Sequence, residues 1–298
     1  MKLIKKNNII LQPEAHPQMV HLFLSHFQLS ATRPDLIYLQ QIVEKFTSIP
    51  YENISKIIKL SQHWGDGFQI RLPDEVLEEH LSKHLGGTCF SLTFMLQSIL
   101  TQQGFICYPV MAHMRAGLNI HCALIVVIDN THYLVDPGYV LNQPVAIKPL
   151  TRRTHLREFG GVEIQFDPES GDYHLFTFDR KELKWRYRFQ DRACSNEEFL
   201  QHWLSSFTKP MMHGLCLTKV TKSGLIYIHK NHLRQITFSE KKNFKLKHNL
   251  HETIHTIFGI DKNLIEWAQA AVDLNMAKEV ELGIFNPATK KRLTSVSF

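Results

Sequence analysis

The sequence predicts an α+β fold, and three features point to it. Up to residue 84, apolar residues recur at helical spacing. From Phe105 onward, short runs rich in β-branched residues alternate with tight-turn residues, the pattern of antiparallel hairpins. Strands that follow a block of helices, rather than alternating with them, argue against a doubly wound parallel sheet. At 298 residues, 44% hydrophobic and 21% charged, the chain has an ordinary globular composition and can hold a sizeable core. The longest wholly apolar run, Cys122–Ile128, is far too short to span a bilayer. Met1–Asn8 carries charge but no apolar stretch, so neither a secretory signal nor membrane contact is expected. Five cysteines in no metal or disulfide spacing suit free thiols in a reducing, cytoplasmic setting. A net charge of +6 suits an anionic small molecule or nucleic acid, and suits a plain solvated surface as well.

In chain order, Pro17–Leu29 carries Met19, Val20, Leu22, Phe23 and Phe27 at helical spacing. Thr32 is expected to cap a second helix over Asp35–Phe46. Pro50–Asn53 breaks that helix, and Trp64–Gly67 reads as a loop. Pro73, at a first helical position, opens a third helix through Val76, Leu77 and Leu81. A cysteine-bearing helix follows and stops at Gly104. Strands are expected at Phe105–His113, His121–Ile128 and Thr131–Asp136, the last two joined by Asp129-Asn130. Another hairpin spans Tyr173–Phe178 and Leu183–Phe189, turned at Asp179–Glu182. In its second strand Trp185, Tyr187 and Phe189 share one face and Lys184, Arg186 and Arg188 the other. That alternation reads as a core face backed by a solvated one, so no nucleic-acid partner is expected. A helix begins at Asn196, then short strands at Leu215–Thr221 and Gly224–Lys230, a basic surface loop over Lys241–Lys247, and one or two helices over Leu250–Ala277. The expected organisation is a helical bundle over 1–84, the cysteine helix and strands over 85–195, and an α/β region over 196–298.

The chemistry centres on Leu85-Gly86-Gly87-Thr88-Cys89-Phe90. The glycines allow a tight turn, and Thr88 is a plausible helix N-cap. Cys89 then sits in the first helical turn, where unpaired N–H groups and the helix dipole favour negative charge. A thiol there ionises more easily and becomes a nucleophile. A small buried cysteine beside a Gly-Gly turn has the same local sequence. A thiolate also needs a base and an orienter. His121 opens one strand of a hairpin and Asp136 closes its partner, so imidazole and carboxylate can meet across it.

Gly86, Gly87, Cys89 and Phe90, then His121, then Asp136, Gly138 and Tyr139 together resemble the arylamine N-acetyltransferases, whose pattern is R-G-G-x-C-F, a strand-opening histidine and D-x-G-F. Upstream, Ile49-Pro50-Tyr51-Glu52-Asn53-Ile54 is similar to the family's V-P-F-E-N-L. The likeness is specific from Pro50 to Val140 and faint beyond about residue 190. It implies a helical bundle, an antiparallel β-barrel and an α/β lid around a papain-like core with Cys89, His121 and Asp136 as catalytic residues. It also implies acyl transfer from acetyl-CoA, or another acyl-CoA, through a cysteine thioester to an arylamine, arylhydroxylamine or hydrazine. Tyr51 and Tyr139 match aromatic positions that line the acceptor pocket, both usually phenylalanine. Two departures stand out. Leu85 replaces the arginine that in the family pairs with the glutamate matching Glu52, so Glu52 is either more exposed or served by Lys83, His84 or Arg71. Ser91-Leu92-Thr93 replaces a more polar continuation.

A competing motif is His251-Glu252-Thr253-Ile254-His255, which fits H-E-x-x-H of zinc peptidases. Phe258 and Asp261 stand where the metzincin continuation needs glycine and histidine, so no metal is expected. Three classes stay open: the acyltransferase; a cysteine hydrolase, amide synthase or transglutaminase-like enzyme with the same triad; and a zinc-dependent or non-catalytic protein.

Overall fold

The structure, a computed structural model, describes residues 9–292 except 65–66, 140, 150–152, 158–159, 180–181, 222–223, 238 and 289–290. Met1–Asn8 and parts of the Trp64–Gly67 and Asp179–Glu182 turns therefore lie outside the described residues.

The first helices are α1 (Pro17–His26), α2 (Leu36–Phe46), α3 (Ile54–Gln62) and α4 (Pro73–Lys83). A two-residue strand, β1 (Tyr51–Glu52), lies between α2 and α3. The first helix ends three residues earlier than its apolar pattern suggests, because Gln28 adopts a left-handed φ of 54°. Asp35, not Thr32, caps α2: its carboxylate accepts from the Tyr38 N–H at 3.0 Å, whereas the Thr32 hydroxyl donates to the Arg33 carbonyl. α3 was not expected; its apolar stripe of Ile54, Ile57, Ile58 and Leu60 packs on a C-terminal helix distant in sequence.

α5 (Cys89–Gln102) is the hub. Every residue from Cys89 to Leu100 is buried, as befits a helix covered on all sides. Leu92, Met95, Leu96 and Ile99 meet α1, α2 and α4 through Phe23, Ile42, Phe46 and Val76. Phe90 and Phe94 face Trp203 and Phe199 on the other side.

Eight strands follow: β2 (Ile106–Met114), β3 (Gly117–Ile128), β4 (Thr131–Val135), β5 (Val145–Ile147), β6 (Arg153–Arg157), β7 (Gly160–Asp167), β8 (Asp172–Phe178) and β9 (Leu183–Phe189). They form one antiparallel sheet in the order β5-β4-β3-β2-β9-β8-β7-β6, and β5 returns beside β6 to make a nearly closed barrel. Val110, Ile125, Leu134, Ile164, Leu175 and Phe189 fill its interior. Asp129 and Asn130, both at positive φ, make the two-residue turn that joins β3 to β4.

α6 (Asn196–Ser205) leads to β10 (Cys216–Thr221), β11 (Gly224–His229), β12 (His232–Ile236) and β13 (Lys241–Lys245), then α7 (Leu250–Phe258) and α8 (Lys262–Glu281), with a short terminal pair β14 (Phe285–Asn286) and β15 (Lys291–Arg292). The basic run expected as a loop is edge strand β13, every residue exposed. Its lysines guard an unpaired sheet edge, and it pairs with β12 in a local hairpin closed at Ile236↔Lys241 that its basic composition does not announce. β1 is the far edge of this sheet, so the segment beside the bundle is stitched to the C-terminal region.

Candidate active site

Two chain segments built from different motifs lie flat against each other at the start of α5. Gly87 N–H donates to the Pro50 carbonyl, and the Glu52 N–H donates to the Gly87 carbonyl at 3.0 Å. The approach is so close that a Cβ on Gly86 would fall 1.8 Å from the Pro50 oxygen. Glu52 is fully buried and accepts from the Ser55 N–H at 2.9 Å, the Ser55 hydroxyl, and the Gly86 N–H at 3.2 Å. Arg71 supplies the missing cation. Its guanidinium lies 3.7 Å from Glu52, donates to the Gly86 carbonyl at 2.7 Å and to Ser55 at 2.6 Å, and pairs with Glu79. Lys83 pairs with Glu79 instead, and His84 caps α4 in a left-handed conformation. Asn53 extends the joint: its amide donates to the Met211 and Gly214 carbonyls, and its oxygen accepts from the Cys216 N–H at 2.7 Å.

This frame fixes the first turn of α5. Thr88 occupies the N-cap position with extended backbone, yet its side chain caps nothing. Ser91 donates its hydroxyl to the Thr88 carbonyl. The N–H groups of the first turn have no carbonyl one turn back to bond, which leaves donors and a positive dipole end beside Cys89.

The barrel brings the other two side chains. β3 and β4 pair up to Leu124↔Val135, so His121 lies beside the turn Pro137–Tyr139 that follows Asp136. His121 Nε2 is 2.8 Å from Asp136 Oδ2, and both groups are buried. Nε2 faces the carboxylate, so Nδ1 is the nitrogen left for Cys89, whose Sγ also lies 4.0 Å from the Ile120 carbonyl. Gly138 permits this closeness, since a Cβ there would sit 2.8 Å from both Cys89 Cβ and His121 Cε1. Cys89, His121 and Asp136 are thus together in one buried cluster.

Sequence reading missed further members. Tyr187, expected only as a core residue, donates its hydroxyl to Asp136 Oδ2 at 2.6 Å, and its ring lies 4.9 Å from that of His121. Cys122, next to His121, is close enough to Cys89 to favour its ionisation. Cys122 could have been found from its place beside His121 in the sequence, whereas Tyr187 on β9, two strands from β3, carries no such signal. Tyr139 donates its N–H to Asp136 Oδ1 at 3.0 Å and sets its ring edge-on to His121 at 5.4 Å. Tyr51 on β1 is close enough to Cys89 and Tyr139 to feel their charge.

The electrostatics follow the geometry. The Cys122 hydrogen bond outweighs burial and, with the hydrogen bond and charge of His121 and the charge of Lys56, holds the Cys89 thiol well below its usual range. Burial opposes protonation of His121, but Asp136 and Cys89 overcome it and push the imidazole up to about 10. Burial, then contact with Cys89, drives Cys122 the other way, so it stays a thiol donor. The two shifts run in the direction of a thiolate on Cys89 and an imidazolium on His121, with Asp136 behind it.

The H-E-x-x-H residues take part in none of this. His255 Nδ1 meets the Ile260 carbonyl at 2.8 Å, Glu252 pairs with Lys262, and His251 lies 3.9 Å from Glu266. Among the described residues no three His, Cys, Asp or Glu side chains converge as a metal site, and no helix is long and apolar enough to cross a membrane.

The family model described as N-acetyltransferase matches residues 35–266. The chain belongs to the arylamine N-acetyltransferase family. That membership makes it an acyltransferase, with acetyl transfer as the activity the match supports. Among curated proteins it is similar to the uncharacterized acetyltransferase YvcN of Bacillus subtilis, 21% identical over 66% of this chain and 78% of that one. It is also similar to arylamine N-acetyltransferase 2 of Mesocricetus auratus, 26% identical over 38% of this chain and 39% of that one. Solved folds agree. The Salmonella typhimurium arylamine N-acetyltransferase superposes with a TM-score of 0.69 at 15% identity, covering 85% of this chain and 98% of that one. The Mycobacterium marinum enzyme, solved with CoA, gives 0.70 at 17% identity with the same coverage. The bundle, barrel and C-terminal sheet of this N-acetyltransferase are the family's fold.

Proposed function

We propose that this chain moves an acetyl group from acetyl-CoA, through a thioester on Cys89, to an arylamine, arylhydroxylamine or hydrazine. The observation that carries the reading is the buried Cys89–His121–Asp136 cluster with Asp136 on Nε2 of the imidazole. Cys89 thiolate attacks the thioester carbonyl, and N–H groups of the first α5 turn are the nearest preorganised donors for the oxyanion. Collapse breaks the carbon–sulfur bond to CoA, and the leaving thiolate takes the His121 proton. The acceptor amine then attacks the acetyl-cysteine, gives a proton to His121, and Cys89 departs as thiolate. Asp136 holds the imidazole orientation and offsets its charge. Tyr51 and Tyr139, near the sulfur and the imidazole, are the acceptor-pocket residues, and their hydroxyls favour acceptors with a polar group beside the amine. CoA in the M. marinum complex supports the choice of donor. Family membership supports an amine acceptor, with a cytoplasmic site of action where acetyl-CoA is made.

The test is intact mass against time with acetyl-CoA. A gain of one acetyl group on Cys89, discharged by an arylamine, is expected. No acyl gain from several acyl-CoAs would overturn the reading, and discharge by water alone would make the protein a hydrolase.

A further inference from the structure

A buried ammonium is costly unless an opposite charge balances it. Lys56 on α3 is 8% exposed. Its Nζ donates to the Ser206 hydroxyl at 2.6 Å and lies 4.4 Å from the Phe207 ring centroid, and both partners are neutral. Among the described residues no carboxylate pairs with it. Glu52, one turn back on the same segment, is taken by Ser55, Gly86 and Arg71.

Lys56 lines a small cavity together with Arg71, Trp203, Phe207, Thr88 and Ser91. Thr88 directly precedes Cys89 and Ser91 lies two residues beyond it, so this cavity joins Lys56 to the start of α5. Charge counting gives this a purpose. With thiol and neutral imidazole, or with thiolate and imidazolium, Cys89, His121 and Asp136 sum to one negative charge. Lys56 brings the total to zero in both forms. Moving the proton leaves the negative end on sulfur and the positive end on the ring. A cation acting on the sulfur and not on the ring favours the ionised form. The charges acting on His121 are those of Asp136 and Cys89, whereas Lys56 acts on Cys89 and Cys122.

We propose that Lys56 is a positioning residue for the nucleophile, a buried cation on α3 that holds Cys89 as thiolate from this cavity. The proposal rests on Cys89 being the nucleophile. The other titratable groups facing the sulfur are His121 and Cys122 on β3, Tyr51 on β1, and Tyr139 and Asp136 after β4. Arg71, facing the same cavity, is engaged with Glu52 and Glu79. Burial draws Lys56 down to about 8, so its charge is present through neutral pH and fades above it.

The experiment is the rate of Cys89 alkylation by iodoacetamide against pH, read by mass spectrometry on the full chain, for the parent, K56M, K56Q, K56R and S206A. K56M and K56Q are expected to move the Cys89 midpoint upward by about one pH unit, a roughly tenfold loss of rate on the acidic limb. K56R restores the charge and the low midpoint. S206A removes the neutral partner and leaves the midpoint in place. K56Q keeps a hydrogen bond to Ser206 and serves where K56M folds poorly. Unchanged midpoints in both neutral variants overturn the proposal, as does S206A behaving like K56M, which would make Lys56 a packing residue. A parent midpoint near ~8.5, that of a free thiol, defeats the nucleophile reading itself, and the proposal falls with it.

Discussion

One hairpin carries two His–Asp–Tyr clusters, and only one of them sits beside a thiol. His121 meets Asp136 at 2.8 Å, and Tyr187 donates to the same carboxylate at 2.6 Å. In a second, more exposed cluster toward the turn of the hairpin, His132 of β4 meets Asp191 at 2.6 Å, and Tyr108 of β2 donates to that carboxylate at 2.7 Å. The parts and distances are alike, and the surroundings differ. Asp136 is fully buried with a backbone N–H on its second oxygen, whereas His132 and Asp191 are 36% and 21% exposed. His121 gives Nε2 to its carboxylate and keeps Nδ1 for Cys89, while His132 directs Nδ1 at both Asp191 and Tyr108. Water screens the more exposed pair, which ties β4 to the segment entering α6. In the inner pair the low dielectric turns the same contacts into control over a proton.

The comparison breaks most sharply at the inner cluster. Cys89→Ala should abolish acyl-enzyme formation, read as intact mass with acetyl-CoA. Asp136→Asn should keep the fold and cost ~3–5 orders of magnitude in acylation rate, by analogy with serine triads. Asp191→Asn should leave that rate within about twofold. Equal losses from the two Asp→Asn changes would erase the distinction between the pairs.

The pH response sharpens it. Cys89 is held low, so iodoacetamide labelling should persist through neutral pH and fail only as pH falls through that lowered value. His121 stays charged up to about 10, and above that the sulfur loses its partner and labelling should rise again. The sign for stability matches. The imidazolium's contribution is full below an unfolded value of about 6.5 and is lost as pH rises through about 10; the thiolate's is full above an unfolded value of ~8.5 and is lost as pH falls through its lowered value. Cys107, Cys194 and Cys216, pushed by burial to about 11, 12 and 12, should stay unlabelled at pH 7. Uniform labelling of all five thiols would contradict the ion pair.

A smaller effect is expected from Tyr187→Phe, which removes a hydrogen bond to a buried carboxylate worth about 1.5–3 kcal/mol. Acylation should slow by about tenfold, and the upper labelling step should shift, because Asp136 then leans more heavily on His121. The smallest effect is Tyr108→Phe at the more exposed cluster: about 1 kcal/mol or less of stability, a melting shift of no more than about 4 °C, and an unchanged acylation rate.

Much of the architecture was legible because it is written in short-range periodicity. Helices α1, α2, α4 and α5 and the β3–β4 and β8–β9 hairpins follow from apolar spacing and turn residues. α3 was not, since it packs on α8 far along the chain; β12 and β13 form local hairpins, but their polar and basic residues lack the apolar alternation that marks a strand, and β5, β6 and β7 went unread as well. The same division runs through the site. By itself the sequence determined a cysteine at a helix start, a histidine and an aspartate at facing ends of one hairpin, and a gap where an arginine was due at Leu85. Only the tertiary structure decided that Arg71 fills that gap, that Tyr187 on β9 shares the Asp136 carboxylate, and that Lys56 lines one cavity with the start of α5. The physical reason is range. Turn chemistry and helix ends act over a few residues, so spacing reveals them. A buried charge takes whichever partner the packing delivers, and Arg71 and Tyr187 were delivered by contacts that no local pattern encodes.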